Sequence, residues 1–141
     1  MVANEIIMYS YFENCNMKYF DGELPLPSFG LLHSFTTCGY FRYNKGGWFD
    51  KNLYNPTILI TDYYDFTSTQ FEELMCHEMI HYYLAYTGKD RNCRHGKEFN
   101  NMAGIFELNY NINITSKVDI TQYNRRKGTP LLSYWWSKLF Y

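Results

Sequence analysis

The chain has 141 residues, which is enough for one domain with its own hydrophobic core. Its hydrophobic fraction of 46% and charged fraction of 19% are globular values, and they exclude an intrinsically disordered chain. A formal net charge of −1 excludes a global attraction to nucleic acid or to an anionic membrane, so we expect no membrane partner. Because the chain contains 15 tyrosines, we expect many of them to be half-buried with hydrogen-bonded hydroxyls.

The four cysteines are irregularly spaced and include no CxxC pair, so they do not resemble a disulfide framework. The first residues lack the basic and apolar regions of a secretory signal. No apolar run approaches the roughly 18 residues that a membrane span needs. We therefore predict free thiols and a cytoplasmic location.

The first half of the chain predicts one helix and three strands. Apolar residues recur at helical spacing over residues 4–19, and the following Asp21-Gly22 pair predicts the end of that helix. The next segments either alternate apolar and polar residues or are rich in β-branched residues, which predicts strands at residues 29–35, 38–43 and 57–61.

The second half predicts two helices and a weakly specified end. Thr69 and Glu72 have capping-box spacing and predict the start of a helix that ends before Gly88. Residues 98–108 predict the next helix, residues 118–121 a short strand, and residues 131–141 form an aromatic tail. The order predicts an α+β fold, in a single domain over residues 1–141, with helices packed on an antiparallel sheet of about three strands.

The helix predicted at residues 69–87 is apolar on nearly every side, so we expect it to be buried between layers. His77 and His81 are four residues apart and share one helix face, where both imidazoles reach a single metal ion. Glu78 flanks the same site, and burial of its carboxylate is costly unless a cation compensates it. Cys76 points about 100° away from His77, which favours core packing.

A catalytic zinc needs a third protein ligand besides His77 and His81. The segment that follows the helix contains four candidates for it. His95 is favoured because it is the one histidine that follows the helix. Glu98 is the second choice, Cys93 would make a more closed structural site, and Asp90 completes the set. His33 lies in a predicted strand far away in sequence, where an ordinary surface or core role is expected.

Four segments, in this order, resemble the SprT-like family, which includes the bacterial SprT proteins and the protease domain of Spartan. They are YFDGELP at residues 19–25, GYFRY at 39–43, LMCHEMIH at 74–81 and HGKEF at 95–99. Together they place the resemblance over residues 5–108. The HExxH pattern alone is shared by many zinc enzymes, whereas the ordered combination is much more specific.

This resemblance implies a minimal zincin-like fold that binds one Zn²⁺ per chain through His77, His81 and His95. It also implies that Glu78 is the general base of a metallopeptidase that hydrolyses protein substrates. One alternative is a zinc-stabilised binding domain without hydrolase activity, although a purely structural site gains nothing from Glu78. Another is a nuclease or other hydrolase that uses the same metal triad.

The chain departs from the family in one respect, because many SprT-like proteins carry a Cys-rich zinc ribbon after the core. No CxxC occurs here, so residues 109–141 are predicted to be an extension of a different kind. The family suggests DNA binding, but we predict that it is weak because the cations are few and dispersed. Two basic clusters are available for it: Lys89, Arg91, Arg94 and Lys97, and then Arg125, Arg126 and Lys127.

Overall fold

The computed structural model describes residues 1–140, which form four α-helices and two small sheets. Tyr141, the end of the predicted aromatic tail, lies outside the described residues. The order of helices and strands confirms the predicted α+β class. The helices are α1 Glu5–Tyr19, α2 Ser68–Tyr86, α3 Lys97–Tyr110 and α4 Leu131–Phe140.

The larger sheet contains β1 Ser28–Leu32, β2 Gly39–Lys45 and β3 Leu53–Thr61, in the order β1-β3-β2. β2 is antiparallel to β3, but β1 is parallel to β3. The predicted antiparallel sheet is therefore wrong for one of its two pairs. After β1 the chain crosses to the far edge before β2 begins, and β3 then returns between them. Because β2 reverses the direction of β1 and β3 reverses it again, β1 and β3 run the same way.

The smaller sheet pairs β4 Tyr64–Asp65 with β5 Asn124–Arg125. The strand predicted at residues 118–121 is wrong, because the structure has a 3-10 helix at Ile120–Gln122. The Asp119 carboxylate accepts a hydrogen bond from the Thr121 amide at 3.0 Å and caps this turn. This local bond competes with a strand ladder.

The capping box at the start of α2 lies two residues before the predicted one. The capping box consists of Thr67 and Gln70: the Thr67 hydroxyl oxygen accepts from the Gln70 amide at 3.1 Å, and the Gln70 side-chain oxygen accepts from the Thr67 amide at 2.9 Å. Thr69 and Glu72, the predicted pair, lie within the helix instead. The Glu72 carboxylate accepts a hydrogen bond from the Tyr19 hydroxyl at 2.6 Å and so ties α2 to α1.

The helix α2 is the centre of the core, since it packs against α1, the sheet and α3. Twelve of its 19 residues are buried, which confirms the prediction from its all-round apolar surface. Tyr82 has the expected hydrogen-bonded hydroxyl, but it is fully buried rather than half-buried. Its ring stacks on Phe41 at 5.1 Å between centroids, and its hydroxyl donates to the Pro25 carbonyl at 2.8 Å.

The four cysteines, all within the described part of the chain, form no disulfide. Cys15, Cys38 and Cys76 are buried, and Cys93 is half-buried. Burial of Cys76 agrees with the predicted packing role. No helix within residues 1–140 is long and apolar enough to cross a bilayer.

Candidate metal centre

Three histidine side chains meet between α2 and the loop that precedes α3. His77 and His81 lie on neighbouring turns of α2, and His95 lies two residues before α3. The Nε2 atom of His95 is 3.1 Å from Nε2 of His77 and 3.0 Å from Nε2 of His81. One nitrogen from each ring therefore points to a common centre.

The Phe99 ring forms a common wall for the three imidazoles. Its centroid lies 4.8 Å from the rings of both His77 and His81, and 5.0 Å from that of His95. Phe99 is fully buried in the first turn of α3. Packing against one rigid ring restricts the imidazole orientations before any ion binds.

A backbone carbonyl orients His77. Its Nδ1 lies 2.9 Å from the carbonyl oxygen of Thr115, in the segment between α3 and the 3-10 helix. Because a carbonyl oxygen only accepts, Nδ1 carries the proton and Nε2 keeps its lone pair. By contrast, Nδ1 of His81 is buried and has no hydrogen-bond partner within residues 1–140.

Burial keeps the histidines neutral. It lowers the pKa of His77 to about 3, with further contributions from the neighbouring His81 and His95 rings. Burial, followed by the effect of His95, lowers the pKa of His81 to about 4, and burial also lowers the pKa of His95. At neutral pH the three rings are therefore uncharged, which is the state that ligates a metal.

This donor set fits zinc. Three imidazole nitrogens are a common ligand set for a catalytic zinc, and they leave a fourth position open. Two ligands at about 2.05 Å from a tetrahedral ion are about 3.3 Å apart, close to the separations of 3.0 and 3.1 Å measured here. A bare lone pair on each nitrogen repels the others unless a cation lies between them.

The loop before α3 is built to present His95. The buried Asp90 carboxylate accepts from the amides of Asn92 and Arg94, both at 2.9 Å. The Tyr43 hydroxyl of β2 donates to the Arg91 carbonyl at 2.5 Å and fixes the loop to the sheet. Asp90 is therefore a support of the loop.

The other candidate ligands lie outside the cluster. Within residues 1–140, the group of side chains close enough to share an ion consists of His77, His81 and His95. Glu98 is exposed in the first turn of α3, and Cys93 is half-buried in the loop. His33 is paired with Asp62 at 2.8 Å.

Glu78 is a buried carboxyl group beside this cluster. It is 3% exposed, and its Oε1 lies 3.7 Å from Nε2 of His77. Burial raises the pKa of Glu78 to about 8. Gly39 leaves room for the carboxyl group, because a Cβ built there would lie 3.0 Å from Oε1 of Glu78.

An open cleft of about 350 Å³ is lined by His77, Glu78 and His95. The end of the β1–β2 loop forms one wall, from Thr36 to Gly39. The segment after α3 forms the other, including Ser116 and Lys117. Two of the converging histidines and a buried carboxyl group thus line one open cleft.

A comparison with protein-family models matches the SprT-like family over residues 8–118. The chain belongs to the SprT-like family. This confirms the family recognised from the four sequence segments. A search of the curated proteins returned no significant match.

The SprT-like match extends beyond the predicted core of residues 5–108 and includes the segment at 111–118. Sequence patterns gave that segment no role, because its contribution to the site is the Thr115 carbonyl and every residue type has one. Phe99 was visible only as a core residue and as the last position of the HGKEF segment. The role of Gly39 was likewise hidden, because it depends on the close approach of Glu78.

Proposed function

We propose that this SprT-like protein is a zinc-dependent metallopeptidase with a minimal zincin-like fold. One zinc ion per chain is held by His77, His81 and His95, and protein or peptide substrates are hydrolysed. The observation that supports this most directly is the position of Glu78. Its carboxyl group is buried next to the histidine nitrogens and also lines the cleft. A purely structural metal site has no use for a base at that place.

In this mechanism Glu78 moves the proton. A zinc ion held by the three histidines would supply Lewis acidity that acidifies a water molecule and polarises the substrate carbonyl. Glu78 accepts the proton of the attacking water and then donates it to the leaving nitrogen. Burial raises the pKa of Glu78 in the metal-free site, and a cation held by the histidines would lower that pKa and favour the carboxylate form that accepts a proton. His77 keeps its orientation through Thr115 during these steps.

The edge of the larger sheet is the proposed place for the substrate backbone. β2 is an edge strand, and its first residue, Gly39, contacts the space around Glu78. Residues 38–43 therefore offer backbone groups for the addition of an extended peptide. Ser116 and Lys117 on the opposite wall are candidate donors to the oxyanion that forms.

The test is the Glu78→Gln variant with casein as substrate. We expect it to fold, to keep its zinc and to lose at least about 100-fold in hydrolysis, because an amide does not act as a base. Glu73→Gln is the matched control: the same change on the same helix, at a half-buried position outside the histidine cluster. Undiminished hydrolysis by Glu78→Gln would remove Glu78 from the mechanism.

A substrate panel separates this proposal from its alternatives. Wild-type protein with full zinc that hydrolyses neither casein, peptides nor nucleic acid would be a zinc-stabilised binding domain. Zinc-dependent cleavage of nucleic acid alone would identify a nuclease. The four unpaired cysteines favour a reducing compartment, and we propose the cytoplasm.

A further inference from the structure

The helix α4 has an inverted arrangement of polar and apolar residues. Its inward face carries Ser137, which is 2% exposed, and Tyr134, which packs on Phe35 at 5.6 Å between ring centroids. Its outward face is apolar at positions spaced by three or four residues. This outward stripe consists of Leu132, Trp135, Trp136 and Leu139, which are 87, 55, 61 and 75% exposed.

The orientation of α4 is fixed by contacts with the rest of the chain. The Lys138 ammonium lies over the rings of Tyr64 and Tyr134, at 5.1 and 5.4 Å from their centroids. Before the helix, Arg125 donates to the Thr129 carbonyl at 2.9 Å, and Arg126 pairs with Asp62 at 3.4 Å. The apolar stripe is therefore held toward solvent by a packed inner face.

A groove of about 680 Å³ runs between α4 and the β1–β2 loop. We call it the α4 groove; its apolar lining consists of Phe35, Tyr63, Leu132 and Trp136. Thr36 lines both this groove and the cleft of the metal centre. Since Thr36 and Gly39 are three residues apart, they are separated by at most about 11 Å. One extended polypeptide can therefore occupy the cleft and the groove together.

The charges around the groove select its occupant. All 14 acidic residues precede Ile120, whereas three cations, Arg125, Arg126 and Lys127, lie in the segment that leads to Pro130 at the groove. The nearby Asp62 carboxylate is already paired with Arg126 and His33. This surface attracts acidic groups, and it repels the same surface of a second copy.

We propose that the α4 groove binds the substrate polypeptide close to the scissile bond and selects apolar side chains with acidic neighbours. The inference rests on the proposed peptidase function and deepens it by naming the substrate class. α4 lies outside the family match, which ends at residue 118. The catalytic core is thus common to the family, whereas this selectivity belongs to the extension of this chain.

The experiment measures binding without cleavage. Zinc-loaded Glu78→Gln protein is titrated against a fluorescein-labelled 12-residue peptide that contains two Phe and two Glu in one half, and anisotropy is recorded. Leu132→Ser is then added to the same background. We expect it to weaken binding about fivefold to tenfold, because it removes one buried leucine contact from the groove.

Leu108→Ser is the matched control, because Leu108 is 85% exposed but lies on α3, away from the groove. We expect it to leave the affinity unchanged. Peptides with Ser in place of Phe, or Lys in place of Glu, should bind more weakly than the parent peptide. Equal affinity of the Leu132→Ser and Leu108→Ser proteins, or no preference among the three peptides, would overturn the proposal.

A lipid surface is the other occupant of such a basic and apolar face, and sedimentation with phosphatidylserine vesicles tests it. Vesicle binding that Leu132→Ser abolishes, together with unchanged peptide affinity, would overturn the proposal in favour of the membrane. The readout also separates the two hypotheses. Peptide binding in the groove by a wild-type protein that never cleaves casein would contradict the peptidase proposal, and with it the substrate role of the groove. Casein cleavage with equal peptide affinities of the Leu132→Ser and Leu108→Ser proteins would contradict the groove proposal alone.

Discussion

The α2 and α4 helices depart from the usual distribution of residues in opposite ways. On α2, three polar side chains are almost completely buried: His77, Glu78 and His81 are 6, 3 and 5% exposed. On α4, leucines and tryptophans are exposed, with Leu132 at 87%. Buried polar groups and clustered exposed apolar groups are both informative because ordinary packing explains neither.

The two regions differ in the kind of ligand that would complete them. The α2 site has its polar groups already oriented by Phe99 and Thr115, and it needs a cation to offset their burial. The α4 groove has its apolar groups already held toward solvent, and it needs a partner to cover them.

The largest effect is expected from His95→Ala. This change removes one of three converging nitrogens, so the protein should lose most of its zinc, and with it the stability that metal binding adds. Metal analysis of the purified protein measures the effect against the one zinc per chain that we expect of the wild type. Glu98→Ala, at an exposed position three residues later, should keep its zinc. Full zinc occupancy in His95→Ala would refute the ligand assignment.

The second effect compares an aromatic ring from each region. Phe99→Ala should lower the free energy of unfolding of the metal-free protein by about 3–5 kcal/mol, because it empties a fully buried site. Trp135→Ala, at 55% exposure on α4, should change it by less than about 1 kcal/mol. Urea denaturation measures both. Similar losses for the two variants would show that α4 is a structural part of the core.

The third effect concerns the space around the Glu78 carboxyl group. Gly39→Ala places a Cβ within 3.0 to 3.2 Å of three atoms of that side chain. We expect casein hydrolysis to fall about tenfold, since small displacements of a catalytic group are costly, while zinc is retained. Gly47→Ala is the control, because a Cβ there meets no atom within 4 Å. Equal activity of the two variants would show that Glu78 tolerates the displacement.

The smallest effect is expected with DNA. We predict no affinity tighter than about micromolar at physiological salt, for single or double strands. Several of the basic side chains already have partners in the chain: Arg94 pairs with Asp90 at 3.6 Å, and Arg126 with Asp62 at 3.4 Å. Fluorescence anisotropy over a salt series is the measurement. Tight binding that disappears when Arg125, Arg126 and Lys127 are neutralised would instead identify a DNA-binding surface.

The parts of the fold that were predictable are those with strong periodicity. α2 was predicted to within one residue at each end, because its apolar pattern and its stop at Gly88 agree. The parallel pairing of β1 with β3 was not predictable, since residue alternation contains no information on strand direction. Likewise, the sequence predicted only an aromatic tail where α4 lies. The apolar pattern of that segment does not indicate which face of the helix packs inward.

The candidate site divides in the same way. His77 and His81 were paired by motif spacing, His95 was favoured by its place after the helix and implied by the family resemblance, and the geometry places the three in one cluster. The supports of the site were invisible for physical reasons. Thr115 acts through its backbone, and Gly39 acts through the absence of a side chain.

The mixed pairing of the larger sheet has a consequence for the order of folding. β2 and β3 are joined by a local turn, with Lys45 opposite Leu53, so they can form a hairpin early. β1 pairs with β3 only after the intervening chain has closed a loop, with Ser28 opposite Thr57. We therefore expect β1, together with α1 packed upon it, to dock last. In pulse-labelling hydrogen exchange, amides of β1 should gain protection after those of β2.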